Sequence, residues 1–267
     1  MPAKRYRLCS ACGQAAARPD VLSRSAGEGR LSCRNSWCAA ADRPLGAIFA
    51  VASYVGELRK AIVAYKYGRD LRWARIFALL LYRFLQRHAT WFEEYGTICP
   101  VPSFLGTESR RCWGHVELVC AELDWLSNGE WPVESLVTKV AETEPMSGKA
   151  RSARHLLAQR SLPDAFLVAN RAATEGRRIL LVDDVCASGW TLLTVGRALR
   201  RAGASEVAAL VLARARWRPA AGAPATGTPA AGLPAAGARE AGSSGLAAPR
   251  GALGAGALDR WAEAPPP

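Results

Sequence analysis

Between residues 47 and 214 the chain alternates short apolar runs with longer stretches of helical periodicity. AIFAVASY (47–54) reads as a strand. GELRKAIVAYKYG (56–68) reads as a helix, with Leu58, Ile62 and Tyr65 on one face and a glycine stop. LRWARIFALLLYRFLQRH (71–88) is a second, longer helix. TICPVPS (97–103) is a buried strand stopped by prolines, and HVELVCAELDWL (115–126) is helical. LVTKV (136–140) is compatible with a strand, whereas Glu142 to Arg160 is polar, basic and irregular. RRILLVDDV (177–185) is a strand. WTLLTVGRALRRAGA (190–204) is a helix with Leu192, Val195 and Leu199 in register, ended by Gly203. EVAALVLAR (206–214) closes the series as a strand.

Strand, helix and strand at this spacing make a βαβ unit, which implies a parallel sheet covered on both faces. The expected class is therefore α/β. The apolar run Ile179–Val182 fits a central strand. No internal repeat is visible.

Composition divides the 267 residues into unequal parts. From Pro219 to Pro267 the chain is mostly Ala, Gly and Pro, with almost nothing to bury against its ordering entropy. This segment (219–267) is expected to be a disordered tail. Residues 44–218 suffice for one domain, and 1–43 for a small appendage. The formal charge of +12 fits anionic ligands, and equally fits a composition that simply prefers arginine. MPAKRYRLCS has no apolar run of the kind a signal peptide needs. The longest apolar patch, Ile76 to Leu85, is too short to span a bilayer. The chain is expected to be cytoplasmic, with its eight cysteines reduced.

Four of those cysteines fall in the appendage: Cys9 and Cys12 as C-x2-C, Cys33 and Cys38 as C-x4-C. Two close pairs about twenty residues apart suggest a structural Zn²⁺ held by four thiolates. A segment this poor in apolar residues needs such a staple to fold. Free thiols are the alternative.

ILLVDDVCASGWT (179–191) carries the most specific chemistry. Ligands of open α/β sheets bind at the carboxyl ends of strands, where Asp183 and Asp184 fall. The turn Cys186, Ala187, Ser188, Gly189, Trp190, Thr191 then leads into a helix N-terminus, whose free N–H groups and dipole favour a phosphate. Gly189 permits close backbone approach, and Ser188 and Thr191 add hydroxyls. Carboxylates suit vicinal hydroxyls, directly or through a divalent cation. A phosphorylated sugar satisfies both halves.

This stretch resembles the ribose-phosphate signature of type I phosphoribosyltransferases. The resemblance implies that the acid pair holds the ribose hydroxyls of phosphoribosyl pyrophosphate and that the turn holds its 5′-phosphate. The chain departs at Ala187, where a threonine is usual, losing one hydroxyl contact. The order of the four-cysteine segment, YVGELRKAIVAYKYG, CPVPSFLG and VDDV over about residues 6–217 resembles the ComF-like group of that family, bacterial proteins linked in part to DNA uptake. By that resemblance PSFLG (102–106), including Ser103, is the pyrophosphate loop. RRCWGH (110–115) contributes Arg111 and His115, and TEPMSGKARSAR (143–154) is a mobile loop whose Lys149, Arg151 and Arg154 neutralise the leaving group. Lys66 is a further pyrophosphate contact or a helix C-terminal charge.

The implied reaction displaces pyrophosphate from ribose C1 by a nitrogen nucleophile, assisted by Mg²⁺ and basic side chains. Asp183, Asp184, Lys149 and Arg151 are the expected catalytic residues. The acceptor is written in no motif. Two rivals stand beside this reading: a non-catalytic sensor of phosphoribosyl pyrophosphate or a nucleotide, and a nucleic-acid-associated protein. The resemblance also implies DNA-uptake machinery or a helicase as partner. No G-x-x-x-x-G-K-[ST] loop is present, so a P-loop hydrolase is excluded.

Overall fold

The computed structural model describes residues 43–68, 70–105, 113–143 and 162–215. Cys9, Cys12, Cys33, Cys38, Arg111, Lys149, Arg151, Arg154 and the 219–267 tail lie outside them. In chain order the elements are β1 (Ile48–Ser53), α1 (Gly56–Gly68), α2 (Arg72–Arg87), α3 (Ala89–Phe92), β2 (Thr97–Pro100) and α4 (His115–Ser127). There follow β3 (Val137–Lys139), β4 (Phe166–Val168), β5 (Arg178–Cys186), α5 (Trp190–Arg201) and β6 (Glu206–Arg214).

Four strands form one sheet in the order β1-β6-β5-β2, and every neighbouring pair is parallel. The register aligns Pro100 with Val182, Cys186 with Arg214, and Arg214 with Ser53. All four carboxyl ends therefore share one edge. The run expected to be central does sit inside the sheet, with β6 on one side and β2 on the other. β3 and β4 form a separate antiparallel pair, the one departure from an all-parallel reading. Their three-residue lengths leave too little pattern for β4 to be seen in the sequence.

Side-chain alternation splits the core in two. Ile179 and Leu181 join Val207, Ala209, Val211, Leu192, Val195 and Leu199 beneath α5, and Val137 and Phe166 close that layer. Leu180 and Val182 join Ala208, Leu210 and Leu212 on the opposite face, under α1, α2 and α4. Helix α2 buries Ala74, Phe77, Ala78, Leu81 and Leu85, a stripe with the 3.6-residue period. Its helical pattern and that of α5 match the sequence expectation to within a residue or two at the α2 ends and three at the α5 C-terminus.

Gly196 on α5 is required by close approach. A Cβ there would lie 2.6 Å from Leu45 Cδ2 and 3.4 Å from the Pro44 carbonyl oxygen. Leu45 is fully buried and has nowhere to move. Replacing a helical glycine ordinarily gains up to about 1 kcal/mol. Gly196→Val is expected to do the reverse and lower stability by about 1–3 kcal/mol through overpacking, read as a lower urea midpoint at unchanged slope.

Candidate functional site

The site forms where β5 ends. Successive residues of a strand face opposite sides of the sheet, so the two adjacent acids are not equivalent. Asp184 lies on the α1/α4 side and is buried; Asp183 is only half-buried. The sequence reading placed both carboxylates toward one ligand. Instead Asp184 turns inward and is engaged by protein: its Oδ2 stands 2.6 Å from Lys66 Nζ and 2.8 Å from His115 Nε2. Lys66 comes from the last turn of α1 and His115 from the first residue of α4, so one carboxylate ties three elements together.

The network continues outward. His115 Nδ1 lies 3.2 Å from Ser103 Oγ, in the loop after β2. Ser103 N–H donates to Glu117 Oε1 at 2.7 Å, and its hydroxyl lies 3.4 Å from Glu117 Oε2. Glu117 reaches back because Gly114, the N-cap of α4, has no Cβ; one would sit 2.6 Å from the Glu117 carboxyl carbon. The His115 carbonyl accepts a 2.7 Å bond from the buried Tyr65 hydroxyl. Tyr65 packs edge-on to Trp113, at 4.7 Å between ring centroids, which fixes the α4 entry.

Electrostatics separate the aspartates further. Burial alone would raise the Asp184 carboxyl, but the Lys66 charge and the His115 hydrogen bond overcome it and hold the group well below the ordinary carboxylate range. Asp183 goes the other way. Burial first, then the neighbouring Asp184 charge, pushes it up to about 8. Its Oδ1 accepts the Asp184 N–H at 2.8 Å. Near neutrality the doublet therefore offers one fixed carboxylate and one group able to hold a proton.

The turn behind the acids leads directly into α5. Gly189 is its N-cap, at φ 85° and ψ −2°, a conformation that favours glycine. No side chain caps this N-terminus, and no acidic residue occupies the first turn. Ala187 is exposed; Ser188, Trp190 and Thr191 are half-buried. From below, the Cys186 carbonyl accepts the Ala215 N–H at 3.0 Å and Arg214 Nη1 at 3.3 Å.

The structure thus gathers Asp183, Asp184, Lys66, Ser103, His115 and the 186–191 turn at one edge. Lys66 and His115 face Asp184 rather than open space. Tyr65, Glu117 and Arg214 were not expected. Glu117 at the third position of a predicted helix after Gly114 is a sequence signal that was there to be read. Tyr65 and Arg214 carry none. Among the described residues no group of three or more His, Cys, Asp or Glu is placed to hold a metal. Cys99, Cys120 and Cys186 are buried and form no disulfide among the described residues. No described helix is long and apolar enough to cross a membrane.

Comparison with known proteins now gives the class. Residues 134–222 match the phosphoribosyl transferase domain family, and the parallel α/β sheet fits that type. DNA utilization protein YhgH of Escherichia coli O157:H7 is 28% identical over 216 residues, covering 78% of this chain and 91% of its own. Competence protein F of Haemophilus influenzae is 28% identical over 171 residues, 62% of this chain and 71% of its own. Among solved structures, an allosteric regulatory enzyme of purine biosynthesis aligns over 52% of this chain and 25% of its own, with a TM-score of 0.34 and 20% identity. The matched domain and these relatives support a likeness to the ComF-like, phosphoribosyltransferase-type proteins.

Two outcomes follow from the opposite shifts. A carboxyl lowered in the folded state contributes stability that is present above its unfolded pKa, about 3.9, and lost as pH falls through the folded value. Lys66→Met strands Asp184 and is expected to cost about 3–5 kcal/mol at pH 7, a deficit that shrinks as pH drops below about 4. A carboxyl raised in the folded state destabilises increasingly as pH climbs from its unfolded value toward its folded one. Asp183→Asn should therefore stabilise the ligand-free protein at pH 8, by on the order of 2 kcal/mol, and not at pH 3. Urea unfolding across this range reads both.

Proposed function

We propose that this edge binds phosphoribosyl pyrophosphate and that the protein transfers its ribose phosphate to a nitrogen acceptor with release of pyrophosphate. The observation that carries the reading is the pairing of an acid doublet with an uncapped, glycine-opened helix N-terminus at one strand end. In this reading the 186–191 turn and the α5 N-terminus hold the 5′-phosphate. Asp183, half-buried at the end of β5, accepts from a ribose hydroxyl. Asp184 does not reach the sugar in this arrangement; it fixes Lys66 and His115, and through Ser103 and Glu117 the loop expected to take pyrophosphate. Anchoring the phosphate orients C1 for in-line attack.

Mg²⁺ fits such a site, because hard oxygen donors are present and this ion typically relies on one or two carboxylates plus substrate phosphates. When bound it would supply charge to the departing pyrophosphate. Asp183 is the carboxylate proposed to hold it. Lys149 and Arg151 remain proposed contributors to leaving-group stabilisation, Arg111 a proposed contact, and Cys9, Cys12, Cys33 and Cys38 a proposed zinc site.

A second reading has its own support. The relatives are named for DNA utilization and competence, and Asp184 is satisfied by protein rather than turned toward a ligand. A binder that senses phosphoribosyl pyrophosphate or a nucleotide on behalf of DNA-uptake partners would need the cradle but not the turnover.

Calorimetric titration with phosphoribosyl pyrophosphate and Mg²⁺ tests the binding step. Wild type should bind, and Asp183→Asn/Asp184→Asn should weaken binding at least about 100-fold, having lost the Asp183 contact to the ribose and the Asp184 anchor that holds Lys66 and His115. Absence of binding by wild type would remove the function and leave the fold. Pyrophosphate release with a panel of nitrogenous bases then separates transferase from sensor.

A further inference from the structure

Arg214 ends β6 beside the turn, and it breaks the usual rule for buried charge. It is only 5% exposed. Its Nη1 meets the Cys186 carbonyl and lies against Cys186 Sγ. Its Nε and Nη2 are buried with no hydrogen-bond partner. Among the described residues no carboxylate pairs with it. A guanidinium is a permanent cation with five donors and no acceptor, so its burial calls for partners on every side. A buried, uncompensated cation is destabilising unless something else on that edge makes use of it.

What lies next to it answers to that description. Cys186 is three residues before Gly189, the N-cap of α5, a twelve-residue helix with no capping side chain and no acid in its first turn. The helix dipole and the guanidinium thus present positive potential from two directions to the same short turn. Because Arg214 is itself buried beneath the turn, its field is screened less than that of a surface charge and is felt without direct contact. Lys66, a half-buried cation at this edge, lies 2.6 Å from the Asp184 carboxylate.

We propose that Arg214 is the positioning residue of the anion cradle: its buried, unmatched charge beneath the Cys186–Gly189 turn is offset by a bound phosphate, so that the ligand supplies the counter-ion the fold leaves out. This rests on the phosphate-turn reading above. It makes an apo-state liability into ligand affinity, and it explains why an arginine, rather than an apolar residue, ends a strand that is apolar from Val207 to Ala213.

The role is separable from a strut's by the sign of a stability change. In the full-length protein, inorganic phosphate and ribose 5-phosphate are titrated against wild type, Arg214→Met and Arg214→Lys, with melting temperatures recorded for each ligand-free protein. Arg214→Met should bind both anions at least about tenfold more weakly, while its ligand-free melting temperature is no lower than wild type. Arg214→Lys keeps the charge and should stay within about threefold. The proposal fails if Arg214→Met binds phosphate as wild type does, if Arg214→Lys is as weak as Arg214→Met, or if Arg214→Met melts earlier or does not fold. Wild type that binds inorganic phosphate but not phosphoribosyl pyrophosphate would overturn the proposed function and leave Arg214 in its role. Wild type that binds no phosphate would overturn the Arg214 proposal.

Discussion

One buried ion cluster organises the ligand edge of this protein: the Asp184 carboxylate held by Lys66 and His115. Side chains 93% and more buried at Asp184 and His115 put the contact in a medium where Coulomb attraction is strong and desolvation expensive. The balance favours folding only when all partners are in place. Helix α1 must end where Lys66 can reach β5, and α4 must begin where His115 can. The hydroxyl of Tyr65, one residue before Lys66, then holds the backbone of His115. Geometry at the end of β5 is thereby coupled to the entry of α4 and, through Ser103 and Glu117, to the loop after β2.

That coupling gives the adjacent acids different work. A strand places neighbours on opposite faces, and burial differs across the sheet. Asp184 keeps its charge because two donors surround it. Asp183 pays for the neighbour's charge and tends to keep its proton until something positive or hydrogen-bond donating arrives. A ligand carrying hydroxyls and a divalent cation is such a thing. The acid doublet is then not a symmetric clamp but a structural anchor beside a responsive contact.

How much of this was legible in the chain depends on how local each signal is. The strand–acid–turn–helix order of 179–191 is read from consecutive residues, and the structure keeps it. The helical faces of α2 and α5 are periodic and were found. The partners of Asp184 were named as candidates, yet their contact with it joins residues 66, 115 and 184, which no local pattern links. β4 was missed because three residues carry no period. Arg214 was hidden because a terminal arginine on a strand ordinarily reads as the point where the chain meets solvent; only its burial makes it unusual. The segments named for zinc, leaving-group stabilisation and the tail lie outside the described residues.

The ligand edge combines two kinds of electrostatic preparation. At Asp184 the protein completes its own charge, which fixes shape. At Asp183 and Arg214 it leaves charge or protonation unsettled, which favours a ligand able to settle them. A phosphorylated pentose with a cation would meet an anchored anion site at the turn and a titrating carboxylate at the sugar, two demands of opposite sign set a strand end apart. An uncharged sugar meets only the second, and a free phosphate only the first. In the proposed reading the two demands add, so a ligand that meets both is held more tightly than either fragment, a property equally useful to an enzyme orienting C1 and to a sensor of the whole molecule.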